Sequence, residues 1–251
     1  MENAVELEGV KKTFGDKVVY DGLALAVRRG ETLTVVGPSG SGKSVLLKLI
    51  IGLHRPDAGR VVVGGVDVAN LDEEALRDVR LKVAMLFQGA ALFDSMSVGE
   101  NVAYGLHEHF RWPDDKVRAR VVECLEAVGL PGIEEMRPAD LSGGMKKRVG
   151  LARALAPGPE IILYDEPTTG LDPTNTRRIN ELITSLQDKL GVTSIVITHD
   201  MASAMAVSDR IALVRDRKIA LVVDEAEVES SPPAMLQEFM QGEEVDEQQG
   251  A

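Results

Sequence analysis

The stretch Gly37-Pro38-Ser39-Gly40-Ser41-Gly42-Lys43-Ser44 decides how this chain folds. It fits G-x-x-x-x-G-K-[ST], and both flanks agree with it. Leu33-Thr34-Val35-Val36 before it reads as a buried strand, and Val45-Leu46-Leu47-Lys48-Leu49-Ile50-Ile51 after it reads as a helix apolar nearly all round. In a strand, glycine-rich turn and helix, backbone N–H groups curl around phosphate oxygens because glycine puts no side chain in the way. The helix N-terminus adds partial positive charge. Lys43 then reaches the β- and γ-phosphates, and the Ser44 hydroxyl takes Mg²⁺.

Upstream, short alternating segments predict an antiparallel β layer. They are Val5 and Leu7, then Leu23, Leu25 and Val27 closed by Gly30, then Gly59 to Val63 closed by Gly64-Gly65. A hairpin-like element is expected between Lys17 and Arg29. Phe14-Gly15 follows a strand, where an aromatic ring can stack on a base. Downstream, residues 89–158 read as a mostly helical insertion. Asp114 or Asp115 is expected to cap a helix carrying Val117, Val121, Val122, Leu125 and Val128, ended by Gly129.

From Glu160 the chain returns to buried strands. Ile161-Ile162-Leu163-Tyr164 ends in Asp165-Glu166, which places a carboxylate at the sheet's C-terminal edge beside the phosphate loop, the second Mg²⁺-holding position of such hydrolases. Glu166, one residue on, can orient the attacking water. Asp172 reads as a helix N-cap with Pro173 at the first position, and Ile179, Leu182, Ile183, Leu186 and Leu190 form the stripe before Gly191. Thr193 to Thr198 is another buried strand, leading to His199-Asp200, and Ile211 to Val223 reads as a hairpin around Asp216-Arg217. Strands alternating with helices imply a parallel sheet with crossover helices, an α/β fold.

The formal net charge is −12 over 251 residues. Nine acids and no Lys or Arg fall within 224–251, which leaves −3 on the preceding residues. A near-neutral body with an acidic tail argues against a nucleic-acid partner. No apolar run is long enough to span a bilayer, and Met1-Glu2-Asn3 does not read as a signal peptide. A single Cys124 among Val121, Val122 and Leu125 excludes an intramolecular disulfide and fits a buried thiol in a reducing compartment.

Leu141-Ser142-Gly143-Gly144-Met145 is the second distinctive stretch. Ser142 caps a helix beginning near Met145, and the glycines expose N–H groups at an end suited to phosphate. One nucleotide on one chain does not need two such helix ends. The set Gly37–Ser44, Gln88, Leu141–Met145, Ile161–Glu166, Gly170-Leu171-Asp172 and His199 resembles the ATPase subunit of ABC transporters, from about Val5 to Val223. Leu-Ser-Gly-Gly is the most specific part, because other phosphate-loop classes lack it.

The resemblance implies a P-loop NTPase core with a mostly parallel sheet, an antiparallel β layer and a helical subdomain. It implies an ATPase domain over 1–223, and 224–251 remains as an acidic, partly disordered extension. It implies ATP and Mg²⁺ as cofactors and a homodimer packed head to tail, the Ser142-Gly143-Gly144 loop of one copy closing on the γ-phosphate held by the other. Phe14 then stacks on adenine, Gln88 touches Mg²⁺ and the attacking water, His199 contacts the γ-phosphate, and Asp172 faces the partner copy. Gln stands in many members where this chain has Met145, a departure that leaves Ser142 and the backbone donors in place.

The Gly89–Val98, Met145–Ala154 and Tyr164–Pro173 phrases are similar to the Mce-type phospholipid-transport ATPases of Gram-negative bacteria. That similarity implies permease subunits in the inner membrane, Mce-domain and small accessory subunits, and a peripheral position on its cytoplasmic face. Lipid is then met by the membrane subunits, not by this chain. Leu92, Phe93, Met96 and Val98, just beyond Gln88, are either the docking patch for the permease or core of the helical insertion. A transporter of another substrate, or a soluble ABC ATPase outside transport, is the alternative.

Overall fold

The computed structural model describes residues 2–249, with side chains through residue 242. In chain order the elements are β1 (Asn3–Phe14), β2 (Lys17–Arg28), β3 (Thr32–Val36), α1 (Lys43–Ile50), β4 (Ala58–Val63) and β5 (Val66–Asp67). There follow α2 (Glu73–Lys82), β6 (Val83–Leu86), α3 (Val98–His109), α4 (Asp114–Ala127), α5 (Gly143–Leu155), β7 (Ile161–Asp165) and α6 (Pro173–Leu190). The chain closes with β8 (Thr193–Ile197), α7 (Met201–Val207), β9 (Arg210–Arg215), β10 (Lys218–Asp224), α8 (Glu225–Ser230) and α9 (Ala234–Gln249). Two compact units result, one up to Leu71 and again from Ile195, the other from Asp72 to Ser194, so the division falls inside β8.

In the first unit β2, β1, β4 and β5 form an antiparallel sheet in that order. Its register pairs buried apolar residues, Val5 with Val27 and Leu7 with Leu25. The hairpin expected within residues 17–29 does not form. The turn lies one strand earlier, closing at Phe14 and Lys17, with Gly15 at φ 56. Gly22, which looks like a turn residue, is absorbed as a bulge at φ 79 where the register shifts between Val10 and Lys11.

Beside this layer β3 runs parallel to β9, and β10 returns antiparallel to β9. β3 is buried on both faces, as a near-continuous apolar strand of a parallel sheet should be. The β9–β10 turn holds Asp216 at φ 51 and Arg217 at φ 66, the two positive dihedrals that match a two-residue turn to strand twist.

The C-terminal helices join the core of this unit. Leu236 of α9 is fully buried and Val228 of α8 nearly so, against Val36, Ile211, Leu213 and Val223, with Phe239 and Met240 packed alongside. Leu236, Phe239 and Met240 recur at helical spacing, so the acidic segment carries a short apolar stripe. Of the extension expected to be partly disordered, the side chains of 243–249 and residues 250–251 lie outside the described residues; the backbone is helical to Gln249.

In the second unit β6 and β7 are parallel, Val83 beside Ile161 and Leu86 beside Tyr164. Every described element between residues 89 and 158 is helical, with a 3-10 turn at Pro138–Asp140 before α5. The expected cap of α4 is corrected: Pro113 is the N-cap residue, and Asp114 and Asp115 lie inside the first turn. There they face the positive end of the helix dipole instead of bonding its N–H groups. Asp172 caps α6 as expected, accepting from Thr174 and Asn175 N–H, and Gly191 ends it at φ 64. Ile179, Ile183 and Leu186 are the buried stripe, while Leu190 is exposed.

Candidate active site

The loop between β3 and α1 is fitted so closely that two of its glycines are obligatory. A Cβ on Gly37 (φ 152) would stand 2.7 Å from the Val214 carbonyl oxygen, and one on Gly42 (φ 99) 2.4 Å from Val19 Cγ1. The buried Tyr20 hydroxyl donates to the Gly42 carbonyl at 2.8 Å, and burial pushes its phenol well above the ordinary range. Lys43 is buried, and its ammonium donates to the carbonyls of Gly37 (2.5 Å) and Pro38 (3.2 Å). The charge is thereby held inside the loop, while Pro38, Ser39 and Gly40 are exposed. Ser41 Oγ is buried with no hydrogen-bond partner. A buried hydroxyl in need of a partner, an ammonium and glycines that clear the backbone are a donor set suited to polyphosphate oxygens.

Two further candidates belong to the same unit. Phe14 ends β1 as a residue 41% exposed, its ring edge-on to His54 at 5.0 Å and with the Lys12 ammonium 5.0 Å from its centroid. Burial, then Lys48 and Lys12, hold the His54 imidazole below its usual pKa. An exposed aromatic face beside a lysine ammonium suits a stacked, electron-rich base. His199 lies exposed between β8 and α7, followed by Asp200, which caps α7 through Ala202 N–H and accepts from the Ser203 hydroxyl at 2.6 Å.

In the second unit α5 lies next to most of the remaining candidates. Ser142 is its N-cap, exposed, with Oγ accepting from Met145 N–H at 3.3 Å. Gly144 faces Asn175 so closely that a Cβ would meet Asn175 Oδ1 at 2.7 Å, and Asn175 Nδ2 donates to Asp172. That bond, then the N–H donors of the α6 turn, hold the Asp172 carboxyl below its usual pKa. The Ser142 loop and Asp172 are therefore one surface feature.

One turn on, the buried Lys147 ammonium donates to the carbonyls of Glu166 (3.2 Å) and Thr169 (2.8 Å). Glu166 sits at φ 50, and its Oε2 accepts from the Thr169 hydroxyl at 3.0 Å. Asp165, the last residue of β7, is buried. Further along, a Cβ on Gly150 would lie 3.0 Å from Leu86 Cδ1, and the Arg153 guanidinium donates to the carbonyls of Ala90 (2.9 Å) and Ala91 (2.7 Å). Those alanines hold φ 60 and φ 49 just beyond Gln88, which is exposed after β6.

Ser142, Gly143, Gly144, Asp172 and Glu166 are thus tied to one helix, whose far end holds Ala90 and Ala91, the segment just beyond Gln88. Lys147, Arg153, Thr169 and Tyr20 are the supporting residues that sequence reading missed. Lys147, between Lys146 and Arg148, looks like part of a solvated basic run, and only its buried environment distinguishes it. Among the described residues no group of three or more His, Cys, Asp or Glu could bind a metal alone. The Ser44 hydroxyl, the Asp165 carboxylate and the Gln88 amide are hard oxygen donors, the kind Mg²⁺ takes together with substrate phosphates.

Comparison with known proteins bears on the family of the chain. The family model described as "ABC transporter" matches residues 20–169. The intermembrane phospholipid transport system ATP-binding protein MlaF of Haemophilus influenzae is 38% identical over 96% of this chain and 92% of its own length. A methionine import ATP-binding protein, MetN 2 of Rhodococcus jostii, is 45% identical over 93% of this chain and 70% of its own length. Among solved structures, the dimeric ATP-binding cassette MJ0796 bound to ADP and Pi superposes with a TM-score of 0.81 at 33% identity, covering 88% of this chain and 98% of that one. CbiO1 from Clostridium perfringens, part of the ABC transporter complex cbiONQ, gives 0.85 at 25% identity over the full length of both. The phosphate loop, the capped Leu-Ser-Gly-Gly helix and these likenesses agree: the chain belongs to the ABC transporter family, as an ATP-binding and ATP-hydrolysing cassette.

Proposed function

We propose that this chain energises phospholipid movement between an inner and an outer membrane, as a homodimer bound to integral-membrane permease subunits. The 1–223 body is the ATPase domain, its helical part about 89–158, and the protein sits peripherally on the cytoplasmic face of the inner membrane. Mce-domain and small accessory subunits complete the assembly.

Gly37–Ser44 cradles the triphosphate, with the Lys43 ammonium leaving its loop carbonyls for the β- and γ-oxygens. Phe14 stacks on adenine. Ser44, Asp165 and Gln88 hold Mg²⁺, which when bound neutralises charge on the phosphate oxygens. Glu166 orients the attacking water and takes its proton, and His199 contacts the γ-phosphate. Ser142, Gly143 and Gly144 reach the nucleotide held by the second copy, and Asp172 faces that copy. The Glu166–Thr169 bond holds the carboxylate in one orientation.

The observation that carries the lipid assignment is the likeness to MlaF over 96% of this chain. Met145 in the Leu-Ser-Gly-Gly loop supports it through the resemblance to Mce-type ATPases. The 45% identity to a methionine importer supports a second reading, methionine import. Purification from native membranes, identification of the bound subunits and reconstitution into vesicles separate the two. ATP-dependent transfer of fluorescent phospholipid, lost in Glu166→Gln, is expected. ATP-dependent methionine uptake without lipid movement would contradict the proposal.

A further inference from the structure

A charged side chain on a residue only 6% exposed is costly unless its donors are used, and Lys147 uses them on main-chain carbonyls rather than on a carboxylate. The two carbonyls bracket one turn, Glu166 at its start and Thr169 at its end. Within the turn Thr169 N–H reaches the Glu166 carbonyl at 3.4 Å, and the Thr169 hydroxyl reaches Glu166 Oε2 at 3.0 Å. Glu166 itself holds φ 50, a region that residues with a Cβ resist and that persists only when the surroundings impose it. The surroundings here include one long side chain projecting from α5, five residues beyond Ser142.

We propose that Lys147 is a positioning residue for ATP hydrolysis: its ammonium fixes the Glu166–Thr169 turn, and so sets where the Glu166 carboxylate stands relative to the helix that Ser142 begins. The proposal rests on Glu166 being the water-orienting group. Lysine suits the task because one ammonium on a long stem serves two carbonyls at once. Burial lowers its pKa and the Glu166 charge opposes that shift, so the turn and the ammonium are electrostatically linked. The tie joins two parts of the cassette that the function assigns to different nucleotides: Glu166 works at the chain's own phosphate loop, the Ser142 end at the partner's.

The test is steady-state ATPase activity and ATP affinity of Lys147→Met and Lys147→Arg beside Glu166→Gln and the Glu166→Gln, Lys147→Met double variant. Lys147→Met should lower kcat about 10- to 100-fold with KM unchanged, as misplacement of a catalytic group does. Lys147→Arg should recover most of the loss, and the double variant should be no slower than Glu166→Gln alone. Should Lys147→Met not fold, Lys147→Gln is read by the same criteria. A wild-type kcat in Lys147→Met overturns the tie. So does a loss shared equally by the Arg variant with a lowered melting temperature, the mark of a purely structural role, and so does full additivity in the double variant. Retained turnover in Glu166→Gln would instead strike the assignment of Glu166 on which the tie rests.

Discussion

In the proposed mechanism Lys43 and Glu166 carry the two halves of the chemistry, and their removal should fail in different ways. Glu166→Gln keeps the Lys43 ammonium and the glycine cradle, so it should bind ATP while losing turnover by about 10²–10⁴-fold. Lys43→Ala removes the only side-chain cation within the loop and should weaken ATP binding itself. Nucleotide titration beside steady-state turnover separates the two; unchanged affinity in Lys43→Ala contradicts the loop's role. At this scale the sequence was legible where spacing alone defines geometry. Gly37 and Gly42 are glycines because Val214 and Val19 leave no room, and the motif records that constraint without showing its cause. Lys147 was not legible, because a lysine between Lys146 and Arg148 carries no mark of burial, and the partner that makes it meaningful is a main-chain carbonyl.

The segment after Gln88 shows how an element is divided between fold and surface. Val98 is fully buried, but Phe93 is 40% exposed and packs on the half-exposed Tyr104 with ring centroids 4.8 Å apart. The loop does not depend on Phe93 for its shape. Buried Asn101 accepts from Phe93 N–H at 2.8 Å and donates to the Phe93 and Ser97 carbonyls, and Ser97 with Glu100 forms a capping box on α3. Phe93→Asp should therefore leave the isolated subunit folded while abolishing co-purification with the permease. Unfolding of the isolated subunit would return Phe93 to the core, and survival of the complex would move the docking surface elsewhere. Strands, crossover helices and the Asp172 cap were readable from periodicity and capping chemistry. The β1–β2 turn was not, because Gly15 and Gly22 are equivalent in sequence, and only the cross-strand pairing decides which one turns and which one bulges.

Across the whole molecule, charge hid a structural role. The acidic C-terminal segment reads as a solvated tail, yet Leu236 is fully buried in the core cluster that includes Val36, the last residue of β3 before the phosphate loop, and Glu238 pairs with Arg215 at 2.8 Å. Leu236→Ala should destabilise the protein by about 2–4 kcal/mol in urea unfolding. A cost below about 0.5 kcal/mol, the scale of a surface change, would show that α9 contributes nothing to the core. The central claim concerns a larger scale still: two helix ends suited to phosphate, Gly42–Lys43 and Ser142–Gly143, serve different nucleotides because two copies share each site. Ser142 is exposed and caps only its own helix, so Ser142→Arg should fold yet block the partner's nucleotide. Mixing inactive Ser142→Arg subunits with inactive Lys43→Ala subunits leaves one site of each heterodimer intact, so the decisive measurement is the ATPase activity of the mixture. The account predicts activity well above either variant alone, greatest near equal proportions. No recovery in a mixture shown to contain heterodimers would contradict it and leave the site self-contained in one chain.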